Sequence, residues 1–244
     1  MTIEVKNLTK TFKNNNNEEK TVLDNLNITF DNRKFICLLG HSGCGKTTLL
    51  RLIGGLDSPS SGEILDDGKP IIGPSTNRGF IFQQYSLFPW MTVFDNVMFP
   101  LRVKGDDEEK SKQRVEAYLK GVELEGAKDL YPYQLSGGMK QRVALIRTLI
   151  NHPKTVLMDE PFSALDMLTK HDLQDKLLTA VGKYNTIIFV THDVSEATYL
   201  ADEIVVMGRN GGEIKDIIEV DVPRPRKRND PELLKIQDKI SEYL

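Results

Sequence analysis

Residues 40 to 48 of this 244-residue chain read Gly-His-Ser-Gly-Cys-Gly-Lys-Thr-Thr. They fill the pattern G-x-x-x-x-G-K-[ST] with Gly40, Gly45, Lys46 and Thr47. Glycines carry no Cβ, so such a loop can wrap closely around a phosphate. Free N–H groups and the positive end of a helix dipole favour an anion. Lys46 adds a full charge near the outer phosphates, and the Thr47 hydroxyl can ligate Mg²⁺. Asp159 and Glu160 follow the apolar run Thr155-Val156-Leu157-Met158. Asp159 is suited to holding Mg²⁺ through its water shell. Glu160, one residue on, points elsewhere and can act on an attacking water as general base. His192 has the same logic, because it ends another apolar run and could contact a γ-phosphate. Leu135-Ser136-Gly137-Gly138-Met139 is a second candidate anion site: a Ser cap and two glycines expose N–H groups at a helix start. The other reading of that stretch is an ordinary capped helix.

These groups need a scaffold that gathers them. Phe35-Ile36-Cys37-Leu38-Leu39 before the loop reads as a buried strand, and Leu49-Leu50-Arg51-Leu52-Ile53 after it as the start of a helix, which is the context a phosphate loop requires. Thr155–Met158, Thr186–Val190 and Ile204–Met207 are further buried strands, the last being the final clear one. Short apolar strands alternating with helices mean an α/β fold with a parallel sheet. Ligands of such sheets sit at the carboxyl ends of the strands. The phosphate loop, the Asp159-Glu160 pair and His192 all fall there. Ile3–Val5 and Leu26–Phe30 alternate as strands, with Asn14–Glu19 in a polar hairpin tip or loose loop between them. Phe12, just before that run, is either a core residue or a ring that stacks on a base. Glu63–Leu65 and Gly79–Phe82 read as short strands. Thr92 caps one helix, Asp107 to Leu119 form another, and Ser136 caps a third. Residues 163 to 181 read as a helix, as do Pro231 to Tyr243. Between them the tail Val222-Pro223-Arg224-Pro225-Arg226 reads as a solvated linker, or else as a contact for anionic lipid.

Composition bounds the rest. The net charge of −3 argues against a nucleic-acid binder. Two cysteines, Cys37 and Cys44, suggest neither a disulfide framework nor zinc, so a reducing cytoplasm is the natural compartment. Cys44 reads as a small residue in a tight loop, or as a modifiable thiol. No apolar run approaches the ~20 residues that cross a bilayer. His41, His152 and His171 are expected at the surface or in loops. Gln83-Gln84-Tyr85-Ser86-Leu87-Phe88-Pro89-Trp90-Met91 is apolar and aromatic, yet suits neither strand nor helix interior.

In the order and identity of these motifs, from Phe12 to about Arg209, the chain resembles the nucleotide-binding subunits of ABC transporters. Gly40, His41, Ser42, Gly43, Cys44, Gly45, Lys46, Thr47 and Thr48 resemble Walker A. Gln83 resembles the Q-loop glutamine, and Leu135–Met139 the LSGGQ signature. Val156–Glu160 resembles Walker B with Glu160 as catalytic glutamate. Ser163–Asp166 resembles the D-loop, His192 the switch histidine, and Phe12 the adenine-stacking aromatic. Met139 stands where the signature usually has Gln, and His41 where Walker A more often has Pro.

The resemblance implies a single ABC domain with ATP and Mg²⁺ as its ligands. A RecA-like core (1–84 and 155–220) would carry an N-terminal antiparallel β subdomain and an inserted helical subdomain (85–154), followed by a tail (221–244). Catalytic roles would fall to Glu160, His192 and Gln83, metal binding to Thr47, Gln83 and Asp159. It implies a head-to-tail pair in which Ser136, Gly137 and Gly138 close on the partner's ATP. It also implies a membrane permease docked near Tyr85–Met91, a solute-binding protein beyond it, and work at the cytoplasmic face of the membrane. The alternative for Phe88 and Trp90 is packing within the helical subdomain. Phe82-Gln83, Leu87–Trp90, the Met-containing signature and the tail are similar to the nitrate, sulfonate and taurine importer group. A motor for another solute (amino acid, lipid or cofactor precursor), a soluble non-transport ABC ATPase and a P-loop kinase are the rival functions.

Overall fold

The computed structural model describes residues 2–13, 18–180, 185–209 and 211–244. Its strands are β1 (Ile3–Lys13), β2 (Glu19–Phe30), β3 (Phe35–Gly40), β4 (Ser61–Asp66), β5 (Lys69–Pro70), β6 (Arg78–Ile81), β7 (Thr155–Asp159), β8 (Thr186–Thr191), β9 (Glu203–Met207) and β10 (Ile214–Glu219). Its helices are α1 (Lys46–Gly54), α2 (Val93–Lys104), α3 (Glu108–Gly121), α4 (Gly137–Leu149), α5 (Met167–Ala180), α6 (Val194–Leu200) and α7 (Pro231–Ser241).

The central sheet runs β10-β9-β3-β8-β7-β6, parallel except for β10. Strands β3, β7, β8 and β9 are buried at every position. That is why each reads as an unbroken apolar run: both faces are covered, so no side needs polar residues. Leu39 pairs with Thr191, Asp159 with Val190 and Ile81 with Met158, which aligns the carboxyl ends of four neighbouring strands. An antiparallel sheet, β2-β1-β4-β5, covers one face together with α1. There Leu38, Leu157 and Val190 meet Leu49, Leu50, Leu23 and Phe30. On the other face Cys37, Met158 and Phe189 pack with Leu173 and Leu177 of α5, Leu200 of α6 and Leu233 and Ile240 of α7. A third apolar cluster draws its buried members from residues 93 to 150, in and around α2, α3 and α4. This is the P-loop NTPase architecture, with an antiparallel β layer and a helical insertion. Among the described residues no helix is long and apolar enough to cross a membrane.

Three expectations need correction. The helix read from residue 163 begins at Met167: Ser163–Leu165 turn back on Glu160 and Phe162, and Asp166 accepts from Thr169 N at 3.1 Å. A short acidic side chain prefers that capping role to a helix interior. The expected end at 181, like Asn14–Asn17 of the expected hairpin tip, lies outside the described residues, and Glu19, expected in that tip, begins β2. β10 was not anticipated, because only one of its six residues is buried and its Lys and Asp interrupt the apolar pattern. The basic tail is no solvated linker. Arg226 is buried, and its guanidinium donates to the carbonyls of Val222, Thr198, Tyr199, Ala201 and Val220 at 2.6–3.1 Å. Arg228 lies over the Tyr199 ring, 3.7 Å from its centroid, and Arg224 pairs with Asp202. These contacts seat α7 against α6.

Candidate functional site

The helices α2, α3, α4, α6 and α7 begin with a side-chain cap: Thr92, Asp107, Ser136, Asp193 and Asp230 accept from first-turn N–H groups. Helix α1 begins at Gly45 with no side-chain cap. Its first-turn donors are therefore left for a ligand, and an anion is the natural acceptor. Gly45 is required twice over. Its φ is +103°, and a Cβ there would stand 2.7 Å from Leu23 Cδ2. Cys44, Gly45 and Lys46 are buried, Ser42, Gly43 and Thr47 are exposed, and His41 and Thr48 lie between. The Lys46 ammonium folds back on its own loop, donating to Gly40 O at 2.7 Å and His41 O at 2.8 Å. It thus has no carboxylate partner within ion-pair distance among the described residues. His41 is not an isolated surface residue: its Nε2 lies 2.5 Å from Leu244 O and 3.2 Å from Arg209.

The end of β7 lies two strands away. The Thr47 hydroxyl donates to Asp159 Oδ1 at 2.8 Å. Burial raises the Asp159 carboxyl above its ordinary range, against the Thr47 hydrogen bond and the Lys46 charge. This hydroxyl–carboxylate pair is the hard-oxygen set that Mg²⁺ takes. Among the described residues no group of three or more His, Cys, Asp or Glu could hold a metal. The pair fits an ion that takes further oxygen ligands, such as waters and phosphate oxygens, from outside this pair.

Glu160 sits in the left-handed region at φ +42°, with its N–H on Val190 O at 3.1 Å and its carbonyl accepting from Ser163 Oγ. That turn directs its carboxylate to His192, whose Nδ1 is 3.1 Å from Glu160 Oε2. The Glu160 side chain is 18% exposed and that of His192 57%. Gln83 is exposed just past β6. Four contiguous strand ends thus carry Lys46 and Thr47, His192, Asp159 and Glu160, and Gln83. Phe12, on β1, is 43% exposed, with Lys10 Nζ 4.9 Å above its ring. A side chain partly open to solvent and backed by a cation is available to stack on a base.

Ser136 accepts from Met139 N at 3.3 Å, which leaves the Gly137 and Gly138 N–H groups at the head of α4. A Cβ on Gly138 would stand 2.7 Å from Thr169 Cγ2 of α5, so the glycine lets the two helices touch. The Tyr85–Met91 stretch divides in two. Phe88 packs on Phe99, 4.8 Å between centroids, under Arg147, whereas Trp90 is 69% exposed. Beside them lies a groove of about 630 Å³ lined by Phe80, Phe82, Phe88, Phe99, Val103 and Arg147 among others.

Sequence reasoning missed the residues that hold these loops. Buried Asn96 bonds Phe88 N and the carbonyls of Phe88, Met91 and Thr92, so it fixes the aromatic turn. Arg147 donates to Tyr85 O and Ser86 O. Lys170 reaches Asp193 beside His192 at 2.7 Å. Only Asn96 left a sign, a polar residue on the otherwise apolar face of Val93, Val97 and Leu101.

Comparison with known proteins places this geometry. The ABC transporter family model matches residues 23–163, more than half of the 244-residue chain. An uncharacterized ABC transporter ATP-binding protein of Methanocaldococcus jannaschii is 50% identical over 243 residues, covering 99% of this chain and 91% of its own. The aliphatic sulfonates import ATP-binding protein of Bacillus cereus is 42% identical, covering 98% of this chain and 94% of its own. The nitrate import ATP-binding protein of Synechocystis is 43% identical, covering 91% and 87%. Among solved structures, a dimeric ATP-binding cassette in a post-hydrolysis state with ADP and Pi superposes at TM-score 0.80, with 33% identity over 91% of this chain and all of that one. An uncapped helix behind a phosphate loop, carboxylates and histidine on adjoining strand ends, and a glycine-headed helix have one common explanation: this chain belongs to the ABC transporter ATP-binding family.

Proposed function

We propose that the chain binds and hydrolyses ATP to power an importer of a small anion, with nitrate, a sulfonate or taurine as candidate solutes. The observation that carries the reading is the Glu160–His192 contact of 3.1 Å on the same sheet edge as Lys46 and the Thr47–Asp159 pair. The loop N–H groups and Lys46 bind the β- and γ-phosphates. Phe12 stacks on adenine. Thr47 and Asp159, with Gln83, hold Mg²⁺, which neutralises phosphate charge when bound. Glu160 takes the proton of the attacking water, and His192 orients the γ-phosphate while its other ring nitrogen faces Glu160. Ser136, Gly137 and Gly138 close on ATP held by a second copy arranged head to tail.

The groove beside exposed Trp90 receives a permease segment, because an apolar, aromatic-rimmed surface of this kind suits a protein partner. Closure would move the helical subdomain (85–154), and with it the permease, at the cytoplasmic face of the membrane. A solute-binding protein outside would complete the importer. The names of the sulfonate and nitrate relatives support the solute class. Capture of the chain from detergent-solubilised membranes of its host with an immobilised antibody tests this. Recovery of a multi-span permease, lost on Trp90→Ser, is expected. Recovery of soluble partners alone would overturn the transport role and leave the ATPase standing. Uptake of radiolabelled sulfonate, taurine and nitrate in cells with and without the chain then separates the solutes.

A further inference from the structure

Helix α5 touches both halves of the site. One face meets the glycine-headed helix: Thr169 lies against Gly138 and Asp172 pairs with Arg142 of α4 at 3.0 Å, while Leu165, in the turn before α5, lies near Gly137. The other face carries Lys170, whose ammonium lies 2.7 Å from Asp193 Oδ2 and 3.3 Å from Glu196 Oε1. Gln174, one turn on, donates to the same Glu196 oxygen at 2.8 Å.

Asp193 is doubly engaged. Its Oδ1 caps α6 through Glu196 N at 3.1 Å, and its own N–H donates to Thr191 Oγ1 at 3.0 Å. His192 lies between Thr191 and Asp193, so its backbone is held on both sides. The remaining oxygen of Asp193 belongs to Lys170. One ammonium thus serves two acids. Burial pushes the Glu196 carboxyl up. Against its own burial, Lys170 and the helix N–H hold the Asp193 carboxyl below its usual range. Without the ammonium two carboxylates would face each other in a half-buried place, and Asp193 would relieve this by turning towards solvent.

We propose that Lys170 is a positioning residue: by pairing with Asp193 it holds His192 in register with Glu160 and ties that register to the helix α4 that receives the partner's nucleotide. Displacement of α4 would drag α5 through Asp172 and Thr169, and α5 would draw Asp193 through Lys170. The two ATP sites of a pair would then exchange information through one ion pair. The proposal rests on the reading of Glu160 and His192 as the groups that act on the γ-phosphate.

The test is steady-state ATP hydrolysis by the whole chain, with thermal midpoint measured in parallel, for wild type, Lys170→Met, Lys170→Arg, His192→Ala and the Lys170→Met/His192→Ala double variant. Lys170→Met is expected to lower kcat about 10- to 100-fold, the scale of a reacting group misplaced by an ångström, while the KM for ATP holds and the midpoint falls by about 2–4 °C, the cost of losing the Asp193 cap of α6. Lys170→Arg restores most of kcat, since a guanidinium reaches the same carboxylates. In the His192→Ala background Lys170→Met adds nothing. Wild-type turnover in Lys170→Met beside a crippled His192→Ala would overturn the coupling alone. Equal fold-losses of kcat in both backgrounds would make Lys170 merely structural. Wild-type turnover in His192→Ala would bring down the parent reading first and this one with it.

Discussion

The two edges of the central sheet carry charge in opposite ways. At the amino-terminal edge the charges are closed in pairs and cages. Lys34 binds Glu203 at 2.7 Å and Asp31 at 3.2 Å, Arg224 binds Asp202, and Arg226 is wrapped by five carbonyls. Burial pulls the Arg226 guanidinium down to about 10, so its charge is kept at a cost that the carbonyls offset. At the carboxyl-terminal edge, among the described residues, neither Lys46 nor Asp159 has an ion pair. Lys46 rests on two carbonyls of the glycine-rich loop, and Asp159 on one hydroxyl. A charge with a permanent partner stabilises a fold. One held only by dipoles keeps its Coulombic reach for a ligand, and gains most when that ligand arrives in a site sheltered from water.

Substitutions can break this contrast. Glu160→Gln is expected to lower ATP hydrolysis about 10²- to 10⁴-fold, the contribution of a general base, with ATP affinity and thermal midpoint nearly unchanged. Phosphate release and equilibrium binding measured side by side would show it, and turnover within tenfold of wild type would remove Glu160 from its role. At the opposite edge Arg226→Met should strip donors from five carbonyls and cost about 2–4 kcal/mol of stability. The thermal midpoint would fall by about 4–16 °C, while kcat at 25 °C stays within about twofold. An inactive Arg226→Met of normal midpoint would erase the distinction between the edges.

Lys46→Ala should weaken ATP by about 10- to 100-fold, the worth of a charge-assisted hydrogen bond, and shift the midpoint of the free chain by less than about 2 °C. Calorimetric titration with ATP and a melting scan decide this together. The smallest effect belongs to Trp90→Ser, which should change neither midpoint nor basal hydrolysis, because the ring is 69% exposed. A large loss of stability would return Trp90 to the role of a packing residue.

The carboxyl-terminal edge was largely legible in the sequence, and the other edge was not. Fully buried strands have to be apolar throughout, so β3, β7 and β8 announce themselves, and the residue that ends each run falls at a ligand edge. A phosphate loop is local: spacing alone places Gly45, Lys46 and Thr47. What closes Arg226 is not local, since its acceptors lie on residues 198 to 222 and converge only in the folded chain. Lys170 and Asp193 are likewise 23 positions apart, and nothing in either neighbourhood marks the pair. Asp166 misled for a different reason: in a helical pattern the same residue can sit inside the first turn or just before it, and hydrogen bonding to Thr169 chooses the latter.

The two ends of the chain leave the molecule at different places. Thr2 exchanges hydrogen bonds with Asp67, its N–H to the carboxylate at 2.8 Å and its carbonyl from Asp67 N at 3.0 Å, in the antiparallel layer. Leu244 lies against His41, in the loop that would cradle phosphate. A segment joined after Leu244 would begin its path beside the proposed phosphate loop. An affinity handle or fluorescent reporter belongs in front of Thr2, where it stands clear of His41, whereas a fusion at the other end would stand next to it.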